Sequence, residues 1–321
     1  MKKSICLCCG KEISSDDSAE LEKLWHKKCI RSFFGTKQIP EISISREQLE
    51  LLATETVSKG FTVAGVQKKL SLHLSEDAET RLTVVGYPAG FILKPQTEEF
   101  FHLPEMEWTV MHLAKKAGIK TVPHALVRLS EGYAYITKRI DRIITRAKTE
   151  LFAMEDFCQL SERLTEEKYK SSYERCAKVI MTHSSKVGLD LAELFYRLVF
   201  CFVTGNSDMH LKNFSLIETV PKSRKFVLSA AYDLLPVKIA MPEDSEDFAL
   251  TMNGKKSNIK KIDFMTFASS CKIPEKAAEK MIKKIISLKD EFILFINKSY
   301  LSDDEKKDLI ALISERMNLL A

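Results

Sequence analysis

The sequence predicts an α+β, two-lobed fold: a strand-rich first lobe and a helical second lobe, with a small metal-binding module in front. Three observations carry this. Residues 69–137 hold short runs that alternate apolar and polar residues, the mark of half-buried strands. From about residue 155 the apolar residues recur at helical spacing. The first 29 residues hold four of the eight cysteines. The boundaries expected are 1–40 for the module, 41–137 for the first lobe and 138–321 for the second.

Taken in order, Cys6-x2-Cys9 and His26-x2-Cys29 are two ligand pairs of the spacing that closes around one tetrahedral ion. About forty residues cannot bury enough apolar surface to fold unaided, and a structural zinc ion would supply the deficit. Cys8 is the odd thiol, able to replace Cys9 only with altered geometry. Such modules serve as scaffolds, protein-docking surfaces or nucleic-acid contacts, and the spacing does not choose among them. Gln38 to Pro40 reads as a linker. KLSLHL, RLTVVG and GFILKP read as strands, EMEWTVMHLAKKA as a helix stopped by Gly118, and VPHALVRL and GYAYITKRI as strands again. Helices are expected over 155–164, 171–184, 190–204, 263–271, 274–297 and 302–319. One strand interrupts them in KFVLSAAYDLLP, residues 225–236.

Composition bounds the function classes. Apolar residues make up 45% and charged residues 29%, the ordinary range for a soluble globular protein. The net charge of +5 is too mild to identify a nucleic-acid partner. The N-terminus has no apolar core of a secretory signal, and the most apolar stretch, 189–203, carries Asp190, Glu193 and Arg197. A cytoplasmic protein with no membrane partner is expected. Cys158, Cys176, Cys201 and Cys271 stand singly in apolar surroundings and read as small buried hydrophobes.

The chemistry concentrates in GNSDMHLKNFSL, residues 205–216, directly after an apolar helix. Asp208 and Asn213 form D-x4-N, and Asp233 follows in AAYDLLP. Phosphoryl transfer needs an oxygen base beside the attacking hydroxyl, an amide oxygen facing a metal and a second hard oxygen ligand from a strand. Upstream, Lys94 ends GFILKP and Glu107 lies on the next helix, the pairing that positions a phosphate-binding lysine. Gly60 and Gly65 flank Thr62 in a loop that could approach phosphate through its amides. His210 is read either as a loop-holding residue or as a proton carrier, and Lys212 either as a counter-charge to phosphate or as a surface charge. Lys255, Lys256, Lys260 and Lys261 read as solvated charges.

These blocks, TVAGVQKKLSL, FILKP, EMEW, KRIDR, MEDFCQL, GNSDMHLKNFSL and AAYDLLP, occur in the order seen in HipA-like serine/threonine kinases, the toxins of bacterial toxin–antitoxin systems. The resemblance covers about residues 58–320. It implies a bilobal kinase fold, ATP and magnesium as cofactors, and transfer to protein hydroxyls, with an aminoacyl-tRNA synthetase as the class of target. It implies Asp208 as base, Asn213 and Asp233 as magnesium ligands, and Lys94 as the ATP-phosphate lysine supported by Glu107. Lys138, Arg139 and Ile140 would meet adenine as the hinge, Gly65 would line the phosphate loop, and Thr62 would be autophosphorylated, with Ser58 as the fallback acceptor. A HipB-like antitoxin is the implied partner, with DNA reached only through it. Full-length HipA proteins begin with an added small domain, where this chain has the cysteine module. Short HipT-type members lack that domain and receive it from a separate protein, HipS. The loop hydroxyl, usually Ser, is Thr62, and Met106 replaces the usual Asn before the helix glutamate, which leaves Glu107 as the better candidate over Glu105. The rival expectations are a small-molecule kinase on the same scaffold and an inactive, zinc-bearing interaction or DNA-binding protein.

Overall fold

The computed structural model describes residues 4–14, 18–43, 69–75, 81–84, 89–130, 132–145 and 148–321. The chain divides into two compact units. One holds 1–108, 122–150 and 298–300; the other holds 109–121, 151–297 and 301–321.

The first unit is built on a six-stranded sheet. Its strands are β1 (Glu41–Ser43), β2 (Leu70–Ser75), β3 (Arg81–Val84), β4 (Phe91–Lys94), β5 (His124–Leu129) and β6 (Gly132–Lys138), in the order β1-β3-β2-β4-β6-β5. All pairs are antiparallel except β1 with β3. Leu70 and Leu72 are buried in alternation with exposed Ser71, as a half-buried strand requires, whereas β5 and β6 each bury four consecutive residues, His124–Val127 and Ala134–Thr137, and so are covered on both faces. The register sets Lys94 opposite Tyr135. The short helices α1 (Ser18–Lys23) and α2 (Lys27–Phe34) belong to this same unit. Phe33 and Phe34 of α2 lie 5.8 and 5.7 Å from the Phe91 ring. The module is therefore packed on the sheet through aromatic contacts worth about 1 kcal/mol each beyond their buried area. Helix α3 (Leu103–Ala117) begins in the first unit and ends in the second.

The second unit is organised by α6 (Val187–Thr204), apolar on nearly every side. Leu194, Phe195, Leu198, Val199, Phe200 and Cys201 are fully buried, which marks a core helix rather than an amphipathic surface one. Around it lie α5 (Tyr173–His183), α8 (Lys261–Ser270), α9 (Glu275–Ser287) and α11 (Asp303–Leu320). A three-stranded antiparallel sheet, β11 (Phe226–Leu228), β10 (Ser215–Glu218) and β9 (Met154–Asp156), carries the segment after the apolar helix, and the short α7 (Val237–Ala240) follows it in the chain.

Several elements differ from expectation. The helix over 155–164 is only α4, Phe157–Leu160. Asp156 closes a capping box with Gln159 and fixes its start, while Glu162 takes a left-handed φ of 54° just past its end. The helix over 274–297 is two, α9 and α10 (Lys289–Lys298), because Leu288 N bonds Ile285 O and tightens the last turn. The strand over 225–236 reduces to β11. The hairpin β7 (Arg142–Ile144) with β8 (Thr149–Leu151), and strands β1, β9 and β10, had no counterpart in the sequence reading. Cys158, Cys176, Cys201 and Cys271 are buried as read, and burial pushes the Cys201 thiol up to about 12. Lys255 and Lys256 are ion-paired, with Asp263 at 2.8 Å and Glu246 at 3.1 Å. No helix among the described residues is long and apolar enough to cross a membrane.

Candidate active site

The loop after α6 is shaped by Gly205, which ends the helix at φ 68°. A Cβ there would stand 2.5 Å from Leu312 and 3.1 Å from Lys238, so only glycine fits both the backbone and the space. Beyond it the chain folds tightly on itself. His210 N donates to Asp208 O at 2.8 Å and Asn213 N to His210 O at 3.0 Å. The Asn213 amide nitrogen donates to Asp208 O at 2.8 Å. That bond fixes the amide's orientation and leaves its oxygen as an acceptor. Asn206, Ser207, His210 and Asn213 are buried. The segment is thus a buried, hydrogen-bonded loop rather than a solvated turn.

Asp208 Oδ1 accepts the Tyr169 hydroxyl at 2.8 Å. Burial, then the Asp208 charge, pushes the Tyr169 phenol well up, so it stays protonated and remains a donor. The Tyr169 ring meets the His210 ring edge-on at 5.0 Å. Lys212 Nζ pairs with Asp156 Oδ2 at 2.7 Å. Tyr232 OH donates to Lys212 O at 3.0 Å and lies 2.6 Å from Ser215 Oγ, which holds the segment before Asp233 beside the loop. Asp233 itself adopts φ 60°, a left-handed conformation uncommon outside glycine. Such strain persists only where the surroundings impose it and concentrates at functional positions. Asn213 and Asp233 offer hard oxygens, the donor type that magnesium takes.

In the first unit, Lys94 Nζ lies 2.7 and 2.8 Å from the two carboxylate oxygens of Glu107. Both side chains are almost fully buried, and the ammonium also sits 5.4 Å from the Tyr135 ring centre. The expected hinge leaves β6. Lys138 N donates to Pro123 O and Arg139 N to Gly90 O, each at 3.0 Å. Ile140 is therefore the position of this segment whose amide the described residues leave unused. Against burial, which would raise it, hydrogen bonds from Arg139 and Arg142 hold the Asp141 carboxyl at about 2. Thr62, Gly65, Gly60 and Ser58 lie outside the described residues.

The cysteine module brings its four expected ligands together. The candidate donor atoms of Cys6, Cys9, His26 and Cys29 all lie within 4.8 Å of one another. Around a tetrahedral zinc ion, donor atoms stand roughly 3.5–3.8 Å apart. Here Cys9 Sγ and Cys29 Sγ are 3.4 and 3.8 Å from His26 Nδ1. His26 Nε2 lies 3.2 Å from Glu12 O; donation there would assign Nδ1 as the ligand atom. The bond from the Cys6 thiol raises Cys6 and lowers Cys9, the direction in which a thiolate donor is favoured at Cys9. The set fits zinc.

The HipA-like C-terminal domain matches residues 61–291. The chain belongs to this family. A Haemophilus influenzae protein named "Putative kinase" is 23% identical over 306 residues, covering 88% of each chain. A Sinorhizobium fredii protein, "Putative kinase Y4dM", is 31% identical over 232 residues, 67% of this chain and 55% of that one. Among solved structures, the Shewanella oneidensis MR-1 complex of HipA, HipB and operator DNA matches with a TM-score of 0.67 and 19% identity, over 81% of this chain and 64% of that chain. The Helicobacter pylori proinflammatory kinase CtkA matches with a TM-score of 0.54 and 14% identity, over 78% and 93%. The chain thus spans little more than half of the Sinorhizobium relative, and the fold is that of the HipA and CtkA kinases.

For a HipA-like chain, sequence reasoning missed three side chains. Tyr169 lies 39 residues from Asp208, in a stretch read only as a connection between helices. Asp156 was read as a helix residue and is instead the cap that receives Lys212. Tyr232 stands inside a quoted block, yet nothing local marks its hydroxyl as the staple to Lys212 and Ser215.

Proposed function

We propose that this HipA-like protein is an ATP-dependent serine/threonine protein kinase of the toxin type. The observation that supports it most is the Asp208 carboxylate. It already holds a hydroxyl donor, Tyr169, at 2.8 Å, on a loop whose Asn213 amide nitrogen is anchored to Asp208 O. A substrate serine or threonine hydroxyl in that relation would lose its proton to Asp208 while its oxygen bonds the γ-phosphorus and the bridging oxygen leaves with ADP. Magnesium held by Asn213 and Asp233 would supply charge neutralisation there. Lys94, supported by Glu107, would bind the phosphates, and Lys212 would add positive charge near the transferred group. Ile140 would serve adenine through its backbone amide. Zinc on Cys6, Cys9, His26 and Cys29 is structural.

The reading extends to a cytoplasmic setting and a translation-related target of the aminoacyl-tRNA synthetase class. It includes a HipB-like antitoxin, possible completion by a HipS-like small protein, and autophosphorylation at Thr62. The Shewanella relative, solved with HipB and operator DNA, supports the antitoxin partner. The test is transfer from γ-labelled ATP to protein in a cell lysate, with phosphoamino-acid analysis. Asp208→Asn is expected to lower the rate by about 10² to 10⁴. A variant as fast as the parent would remove Asp208 from the chemistry. Mass spectrometry of the ATP-treated chain is expected to find phosphate on Thr62, and an unmodified 54–71 peptide from active protein would remove that switch.

A further inference from the structure

The loop between Cys6 and Cys9 makes a contact that a detached zinc module would not need. Leu7, between two of its cysteines, is 1% exposed, and its N–H donates to Leu24 O at 2.9 Å, just before the second ligand pair. Its carbonyl accepts two hydrogen bonds. One comes from Leu126 N of β5 at 3.0 Å and the other from Trp108 Nε1 at 2.6 Å. Trp108 is fully buried and follows Glu107 directly on α3. Its ring packs edge-on against Tyr300 at 5.5 Å, and Tyr300 OH donates to Ile5 O, the residue before Cys6. Leu126 is paired with Tyr135, whose ring faces Lys94.

One carbonyl in the metal loop therefore joins the helix that carries Glu107 to the strands that carry Lys94. The indole has a single N–H, so Trp108 cannot keep this bond if Leu7 moves. Helical residues move as a body, so displacement of Trp108 displaces Glu107. Glu107 is fully buried, so drawing it away from Lys94 costs the carboxylate a charged partner in a site where bulk water does not reach.

We infer that the Cys6/Cys9/His26/Cys29 metal site is a positioning element for the Lys94–Glu107 pair, acting through Leu7 O and Trp108. Metal occupancy fixes the loop, the loop fixes the first half of α3, and α3 sets the glutamate. The step from that pair to nucleotide rests on the kinase reading; the mechanical step does not.

The experiment is amide hydrogen exchange on the full chain: as purified, after zinc removal by chelator, and as the metal-loaded Trp108→Phe variant. Zinc analysis of the first and third samples is expected to give about one ion per chain. Zinc removal is expected to speed exchange across 105–110 by about tenfold or more while 190–204 keeps its protection. Trp108→Phe, which keeps the ring and all four ligands, is expected to retain zinc and speed exchange in the same segment. Both are expected to lower kcat/KM for ATP by about 10 to 10². Unchanged protection at 105–110 in the stripped chain overturns the inference, as does a Trp108→Phe variant that matches the parent, or a chain that takes up no zinc. If stripping unfolds the whole chain, Trp108→Phe decides. If ATP never binds while exchange responds as stated, the kinase reading fails and the positioning role stands.

Discussion

Two lysine–carboxylate pairs of equal length stand in very different surroundings. Lys94–Glu107 and Lys212–Asp156 both close to 2.7 Å. The first pair is 5% and 0% exposed; the second is 34% and 15% exposed. Distance alone would rank them equal, yet burial separates them. A buried ion left without its partner has no water to turn to, whereas a half-exposed one is rehydrated and screened. Lys94–Glu107 is thus a constraint the fold must keep, and Lys212–Asp156 is a contact the loop can give up. That difference suits the proposed roles. A phosphate-binding ammonium must be fixed before nucleotide arrives, while a charge serving the transferred phosphate must be able to leave its resting partner.

The most severe way to test the contrast is Glu107→Ala. It takes the bidentate carboxylate away from the buried Lys94 ammonium, and a loss of about 3–5 kcal/mol in unfolding free energy is expected from denaturant titration. Replacing both residues, Lys94→Met with Glu107→Leu, is expected to recover most of that loss without restoring nucleotide binding, because no charge remains to be desolvated. A single variant losing less than about 1 kcal/mol would place this pair in the exposed class.

Asp141 lies between the extremes. Its carboxylate accepts bonds from Arg139 at 3.0 and 2.8 Å and from Arg142 at 3.2 and 2.6 Å, with side chains 10–28% exposed. Its pKa is lowered from 3.8 to about 2, so the unfolded chain binds the proton more readily than the folded one. The stabilisation is therefore complete above about pH 4 and is lost as pH falls through about 2. Asp141→Asn is expected to cost about 1–2 kcal/mol at neutral pH and nothing at about pH 1, below both pKa values, read as converging denaturation midpoints. A gap that persists at about pH 1 would assign the effect to packing rather than to charge.

How much of this was legible in the sequence follows from the sequence separation of the contacts. The buried helix and GNSDMHLKN were legible because apolar spacing and a clustered set of polar residues are local signals. Lys94 and Glu107 were legible because a strand and the next helix, thirteen residues apart, present them in turn. The Cys6, Cys9, His26 and Cys29 cluster was legible from spacing alone. By contrast, β9 is three residues long and exists through pairing with β10 some sixty residues later, so it has no period to read. The break at Leu288 has no glycine or proline to announce it. Tyr169 on Asp208 and Trp108 on Leu7 are single side-chain contacts across 39 and 101 residues, invisible to any window. The left-handed backbone of Asp233 is imposed by its surroundings and not by its neighbours in sequence.

The mildest test is Lys212→Ala, and it bears most directly on the contrast. Asp156 has a second donor, since its carboxylate also caps α4 by accepting Gln159 N at 2.9 Å. With Lys212 removed, the carboxylate keeps that bond and its exposed side turns to water. The expected loss is about 0–1 kcal/mol, shrinking further in about 0.5 M salt because a pair this exposed is screened. Asp156→Ala is expected to cost more than Lys212→Ala, by the value of the lost cap, about 1 kcal/mol. That asymmetry separates the two functions of one carboxylate: its cap is structural, whereas its ion pair is dispensable to folding. Denaturant midpoints of the two variants at low and high salt check it. Equal losses that ignore salt would mean the pair is held as rigidly as Lys94–Glu107, and Lys212 would then not be free to turn toward a phosphate.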